Sequence, residues 1–312
     1  MLAEAMQKEI QARQANTSEI IGHDFSRIID IDGQIIPCLT GLTYALSGLQ
    51  KQHQVIISAN SGVGKSLLAL QMAVSLSICP KPADQIPVLW VPLEMNEMEI
   101  TMRIISMLTG IDNNKVQRAR FSSDENARYL KAMDMIAMSQ FYIKKPATGT
   151  IDEIFSIYDE FKFKYGIQVG FLDYIQLISA GAADKNTSRE ETIGRASKLL
   201  KRQVAENMRI CSVAVAQLNK ADFKAGEVRK QENIGGSYQI SQDADDLMTI
   251  TEKTDQQIQE ERSMKGNRKI FLDKRRGGAS DIMLDLDLDC LRTMSLRYVE
   301  CVSPGQMMGF KK

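Results

Sequence analysis

Apolar residues along this chain recur at two spacings. Short runs at 55–57, 87–93, 141–143, 169–172, 211–216 and 247–251 read as buried strands. Between them, apolar positions return every three or four residues, as on one helix face. Leu67, Ala69, Leu70, Ala73 and Val74 mark one such helix, which Pro80 and Pro82 stop. Others fall at 97–108, at 151–165 (Ile151, Ile154, Phe155, Tyr158, Phe161) and at 189–208. Residues 113–140 suggest one or two short helices with Met133, Ile136 and Ala137 at core spacing. The repeated alternation predicts an α/β domain: a largely parallel, three-layer sheet with helices on both faces.

The ends of the chain read differently. Residues 1–18 are rich in Ala, Glu, Gln, Lys and Arg, with Leu2, Met6 and Ile10 on a helical repeat. Such a helix is marginal alone, so it is either a frayed terminus or an arm that docks on a neighbouring subunit. The stretch 252–268 is very polar and is expected to project into solvent. Residues 282–288 alternate apolar and acidic positions, with Asp285, Asp287 and then Asp289, as in a half-buried strand with a wet face. Residues 303–312 read as a disordered tail. The expected division is an arm and lead-in (1–34), a motor domain (35–302) and that tail.

The chemistry concentrates at the strand ends. The run Val55-Ile56-Ile57 leads through Ser58 into Ala59-Asn60-Ser61-Gly62-Val63-Gly64-Lys65-Ser66 and then a helix. That is strand, phosphate loop, helix. Glycines let backbone N–H groups close around an anion, and the helix N-terminus adds partial positive charge. Lys65 supplies a charge for the β- and γ-phosphates and Ser66 a hydroxyl for Mg2+. Ala59 stands where the first glycine of such a loop usually falls. Glu94 follows the strand at 87–93; there it either activates a water or simply begins the next helix. Asp173 ends the strand that begins at Val169, where a carboxylate reaches the Mg2+ shell. Gln217 ends the strand at 211–216, as a γ-phosphate sensor or an ordinary turn residue.

Basic residues follow these strands. Arg189, Arg195, Lys198, Lys201 and Arg202 on the helix at 189–208 form either a solvated face or a nucleic-acid face. The stretch 220–236 is long for a loop and carries Lys220, Lys224, Arg229 and Lys230. A strand from Ile270 runs into a basic, glycine-terminated turn with Lys274 and Arg276.

Composition narrows the reading only a little. The chain has 312 residues, 44% hydrophobic and 25% charged, with formal net charge +0. A neutral chain binds nucleic acid only through locally placed charges, or through a small patch repeated around an oligomer. Its 5 Cys are scattered and it has 2 His, which disfavours a zinc site or disulfide framework and fits a reducing cytoplasm. No apolar stretch approaches bilayer length, and the start has no signal-peptide pattern, so no membrane association is expected.

Taken in order, these motifs resemble the RecA-like motor of DnaB-type replicative helicases, from about Ile35 to about Gly278. Leu39-Thr40-Gly41-Leu42 and Gly48-Leu49-Gln50 look like that family's lead-in. Its phosphate loop commonly begins with Ala, as at Ala59. Leu93-Glu94-Met95, Leu172-Asp173-Tyr174 with Gln176-Leu177, and Gln217-Leu218-Asn219 match further motifs. The helix carrying Arg189, Ser197-Lys198 and Leu200-Lys201 is similar too. The resemblance implies Glu94 as catalytic base, Asp173 near Mg2+ and Gln217 as sensor. It also implies Lys274 and Arg276 as fingers acting on a neighbour's nucleotide, although Gly277 follows Arg276 where the family usually has Asn.

Gly235, Gly236 and Ser237, with Gln242-Asp243-Ala244-Asp245, look like a DNA-contacting loop and its sequel. Together with 181–188 and 220–236 that loop would line a channel. A ring, most simply a hexamer, working on single-stranded DNA with ATP and Mg2+ is thus implied, with a loader or primase as partner and the cytoplasm as setting, that of a bacterial host if the chain is phage- or plasmid-encoded. The family's N-terminal domain would be missing, as in short phage or plasmid forms. The alternative is a RecA-like ATPase that does not unwind, such as a recombination mediator or a KaiC-like ring.

Overall fold

The computed structural model describes residues 20–21, 27–29, 35–37, 42, 46, 48–179, 187–218, 238–260, 266–276, 280, 282–289 and 295–302. Two short antiparallel pairs come first: β1 (Ile20–Ile21) with β4 (Leu49–Gln50), and β2 (Arg27–Ile29) with β3 (Ile35–Pro37). The body is a nine-stranded sheet. Its strands are β5 (Gln54–Ala59), β6 (Val88–Pro92), β7 (Phe141–Ile143), β8 (Val169–Asp173), β9 (Cys211–Gln217), β10 (Asp246–Glu252), β11 (Arg268–Arg275), β12 (Ile282–Asp289) and β13 (Ser295–Val302). They stand in the order β13-β12-β11-β10-β5-β9-β8-β6-β7. The stretch from β10 to β7 is parallel throughout, and β11, β12 and β13 extend it antiparallel.

Side chains of the parallel strands alternate between two cores, as strand geometry requires. Val55, Ile57, Val88, Trp90, Phe171, Val213 and Val215 join one, beneath α1 (Lys65–Ser77) and α2 (Glu97–Thr109). Ile56, Leu89, Val91, Leu172, Ala214 and Ala216 join the other, with α5 (Ile151–Tyr165) and α6 (Arg189–Leu199). A π-helical stretch, Leu200–Asn207, prolongs α6. The three layers expected from the pattern are therefore present.

Helix ends obey local rules. Asn96 and Ser188 open α2 and α6 with reciprocal capping boxes to Glu99 and Glu191, and Ser122 does the same with Glu125 for α4 (Ser123–Ala137). The short α3 (Asn113–Gln117) precedes α4; α7 (Tyr238–Asp243) and α8 (Asp255–Glu260) lie further on.

Three expectations change. On α4 the inward face is Tyr129, Ala132, Met135 and Ile136, whereas Met133 is 37% exposed and Ala137 is exposed as well. The inward face is centred on Ala132, which is fully buried, so the helix is turned by about one position from the expected face. The polar stretch after β10 does not simply project: it includes α8, and Lys253 is buried. The acidic face of β12 is not wet at Asp285, whose Oδ1 lies 2.7 Å from Lys253 Nζ with both side chains fully sequestered. β13, on which the periodicity gave no signal, pairs along β12 and covers that edge.

The arm (1–18), most of the small polar loop at 181–188, the basic loop at 220–236, Gly235, Gly236, Ser237, Gly277 and the tail lie outside the described residues.

Breaking a buried ion pair leaves an uncompensated charge and costs about 3–5 kcal/mol, while an apolar replacement of both partners is close to neutral. Asp285→Ala alone should therefore lower the urea midpoint strongly, and Lys253→Met with Asp285→Leu should recover most of the loss. A single substitution as mild as the double would show that the pair contributes nothing.

Candidate nucleotide site

Parallel strands bring four loop ends together. β5 ends at Ala59, which pairs with Gln217 at the end of β9. β6 ends at Pro92, which pairs with Asp173 at the end of β8, and Leu93 N–H donates to the Asp173 carbonyl at 2.7 Å. Ala59, Glu94, Asp173 and Gln217 thus share one carboxyl edge, the edge at which open α/β sheets bind ligands.

The loop after β5 is shaped by two glycines. Gly62 has φ 82 and Gly64 φ 115, left-handed values that favour glycine. A Cβ on Gly64 would also press on Leu288 Cδ2 at 3.2 Å. Gly64 is the N-cap of α1, with no side-chain cap bond and no acidic residue in the first turn. The first N–H groups of α1 therefore keep their affinity for an anion. Arg268, from β11, braces this loop: its Nε donates to the Val63 carbonyl at 3.0 Å, and its Nη2 lies 2.7 Å from Glu252 Oε1. Nothing in the sequence pattern singled out Arg268, because its partner is 205 positions away.

Charged groups crowd beside the loop. Ser66 Oγ donates to Asp173 Oδ1 at 2.9 Å. Asp173 is 2% exposed, and burial pushes its carboxyl up to about 6, against the Ser66 hydrogen bond and the Lys65 charge. Lys65 Nζ sits 5.3 Å from the centre of the Tyr174 ring, a cation–π contact. Glu94 is exposed, and its charge acts on both Asp173 and Tyr174. Arg103, half-buried on α2, also belongs here. Burial pulls its pKa down, and the Asp173, Glu99 and Glu94 charges oppose that. An acid four residues before a base on one helix, Glu99 and Arg103, was the available sequence signal.

A hydroxyl and a carboxylate 2.9 Å apart, beside an open helix N-terminus, form the hard oxygen donor set that Mg2+ prefers. The residues present therefore fit a phosphate chain with a divalent cation.

Lys274 and Arg276 are elsewhere. Arg275 pairs with Asp246, and Asp246 with Val55, at the amino edge of the sheet. About 15–20 Å of strand, at ~3.3 Å per residue, separates them from the chain's own phosphate loop. Lys274 Nζ donates to the Ser241 and Gln242 carbonyls at 3.0 and 3.1 Å, and Arg276 Nη1 to Asp245 Oδ1 at 2.6 Å. Asp245 also accepts from the Gln54 N–H at 2.8 Å and Lys201 Nζ at 2.6 Å. Burial would raise its carboxyl, but the Lys201, Gln54 and Arg276 bonds hold it below the usual carboxylate range. Lys201 therefore faces neither solvent nor nucleic acid. Arg189 opens α6, and its Nη2 donates to the Gln176 carbonyl at 3.4 Å. The remaining DNA-contact candidates (Lys220, Lys224, Arg229, Lys230, Gly235, Gly236, Ser237) lie outside the described residues.

The sheet order and the loop after its central strand define a RecA-like phosphate-loop domain. Residues 36–289 match the family described as DnaB-like helicase C terminal domain, and the chain belongs to that family. It is 32% identical over 206 residues to a probable plasmid replicative DNA helicase of Chlamydia trachomatis, covering 66% of this chain and 44% of that one. It is 29% identical over 238 residues to the replicative DNA helicase DnaB of Buchnera aphidicola subsp. Baizongia pistaciae, covering 74% and 49%. The chain thus spans about half the length of these curated relatives. Among solved structures, one described as an ATPase domain superposes with a TM-score of 0.77 at 22% identity, covering 96% of this chain and 99% of that one. A DnaB-like replicative helicase, from work on its interactions with primase, gives the same TM-score of 0.77 at 22% identity, covering 96% and 69%. At that identity both likenesses speak for the fold alone. Among the described residues, no helix is long and apolar enough to cross a membrane.

Arg268→Ala should loosen the phosphate loop without unfolding the sheet. Binding of a fluorescent ATP analogue should weaken about 10-fold, the equivalent of one charge-assisted hydrogen bond, with thermal stability nearly unchanged. Wild-type affinity in the variant would show that the brace is idle.

Proposed function

We propose that this chain is the motor of a ring-forming replicative DNA helicase, most simply a hexamer, that couples ATP hydrolysis at subunit interfaces to movement along single-stranded DNA and unwinding. The observation that carries the reading is a division of labour between the sheet edges. Lys65, Ser66, Asp173, Glu94 and Gln217 converge on one edge, while Lys274 and Arg276 stand on the other. Such fingers cannot reach their own nucleotide; they can reach one held by the next subunit. The names of the relatives, plasmid replicative DNA helicase and DnaB, agree with it.

In this mechanism the loop 59–66 wraps the phosphates, with Lys65 at the β- and γ-phosphates. Ser66 and Asp173 would hold Mg2+, which when bound draws off phosphate charge. Glu94 orients and deprotonates the attacking water. Gln217 reads the γ-phosphate. Lys274 and Arg276 of the next copy neutralise charge in the loose phosphoryl transition state; a finger of this kind is worth about 10³–10⁵ in rate. Arg276 is 68% exposed, so a neighbour's phosphate can approach it. Residues 35–302 form the motor unit. Arg189, Lys220, Lys224, Arg229, Lys230, Gly235, Gly236 and Ser237 grip the DNA backbone, with little sequence preference and strong salt dependence. A primase or loader is the expected protein partner, and the cytoplasm the expected setting, that of a bacterial host for a phage- or plasmid-encoded chain.

Glu94→Gln should keep ATP affinity and lose turnover by about 10²-fold or more; normal turnover would remove Glu94 as base. Arg276→Ala subunits should bind ATP yet hydrolyse poorly, and mixing them with Glu94→Gln subunits should restore activity at hybrid interfaces, read by steady-state ATPase assays with single-stranded DNA. Proven mixed rings without any rescue would rule out a finger in trans. Wild-type hydrolysis indifferent to single-stranded DNA would count against the helicase reading.

A further inference from the structure

β8 leaves the sheet early. Its ladder with β9 ends at the pair Leu172 and Ala214, whereas β9 runs on beside β5 as far as Gln217. On the side that β8 has vacated, the Gln217 peptide has an N–H and a C=O with no strand to meet, and buried backbone groups need partners. The side chain of Gln176 takes the strand's place. Its Oε1 accepts from Gln217 N–H at 3.0 Å, and its Nε2 donates to the Gln217 carbonyl at 3.0 Å. The two backbone groups dictate which end of the amide is oxygen.

Gln176 sits in the 3-10 turn Ile175–Leu177, two residues after Tyr174 and three after Asp173, and is 8% exposed. Its own carbonyl accepts from Arg189. On the far side of β9, Leu218 N–H donates to the Ala59 carbonyl at 3.0 Å. One hydrogen-bonded path therefore crosses from the start of α6, through Gln176 and the Gln217 peptide, to the start of the phosphate loop.

We propose that Gln176 is a positioning residue: its amide locks the strand end that carries Asp173 to the strand end that carries Gln217, with Arg189 as the outer tether. This rests on reading the site as one for ATP hydrolysis. Asp173 and Gln217 then hold a fixed spacing, so that one would meet the metal and the other the γ-phosphate of the same bound nucleotide. Without the clamp, the Gln217 peptide loses both of its bonds on the β8 side, and the strand end that carries the Gln217 side chain is freer to move. The α- and β-phosphates are gripped by the loop 59–66 and do not depend on Gln176. The loss should therefore appear in turnover and in discrimination between nucleotides, not in affinity for ADP.

Gln176→Glu tests this in the full chain. The carboxylate is nearly isosteric and still accepts from Gln217 N–H, but it faces the Gln217 carbonyl with an oxygen instead of a donor. With Mg2+ present, ADP affinity by calorimetry should stay within about 2-fold, kcat should fall about 10-fold or more, and the preference for ATPγS over ADP should shrink, with KM for ATP rising only as far as the ATPγS affinity falls. Gln176→Met, which removes both bonds without adding charge, should show the same split and takes over if the Glu variant does not fold. Unchanged kcat in either folded variant overturns the clamp. So does an equal weakening of ADP and ATPγS with a lowered melting temperature, the mark of a merely structural residue. If wild-type protein hydrolyses no ATP, the site reading fails and the clamp with it. If it hydrolyses ATP without response to single-stranded DNA, only the helicase reading fails, and the Gln176 comparison stands on the same numbers.

Discussion

Parallel pairing of β5 with its two neighbours, β9 and β10, is the constraint on which the rest depends. Parallel strands all end on the same edge, so one register brings the phosphate loop, the Asp173 turn and the Gln217 turn to a common place. The same register carries β10 into an antiparallel turn to β11, which returns Lys274 and Arg276 to the opposite edge. A slip of one residue in β5 would exchange its two core faces, because Ile56 packs on one side and Val55 and Ile57 on the other. The geometry of the site is thus as firm as the packing of the sheet.

Buried charge is distributed around that register at both ends of β5. At the amino end, Asp245 takes the Gln54 N–H, Lys201 and Arg276, so a single carboxylate anchors the strand, the π-helical stretch after α6 and the turn after β11. At the carboxyl end, Asp173 is buried against Ser66 with Lys65, Glu94 and Arg103 in electrostatic range. The first cluster is satisfied within the chain. In the second, burial raises Asp173 against the attraction of its basic neighbours, the condition in which a carboxylate gains most from a cation.

Much of the site was legible because its signals are local. Strand, glycine loop and helix follow one another at 54–77, and acidic or amide residues terminate apolar runs at Glu94, Asp173 and Gln217. The capping boxes at Asn96, Ser122 and Ser188 mark their helix starts within four residues. What escaped was non-local. Arg268 reaches Val63, Lys253 reaches Asp285 and Lys201 reaches Asp245, each across a distance in sequence that no period encodes. A polar pattern implies a solvated face, or for Lys201 a nucleic-acid face as the alternative, and Lys253, Asp285 and Lys201 are withdrawn from solvent because a partner from another strand or helix meets each of them.

The sequence by itself determined the class of fold, the succession of elements and the residue types offered at each strand end, since these follow from side-chain period and short-range turn chemistry. Tertiary structure decided which of those residues share a site. Parallel pairing set Asp173 beside Ser66 and Gln217 beside Ala59, and it set Arg276 on the far edge, out of reach of its own phosphate loop. It also decided that Gln176, an amide to which the motif alone gave no task, completes the ladder that β8 abandons. Strand order is a property of long-range pairing, and the local pattern of apolar and polar residues carries no record of it.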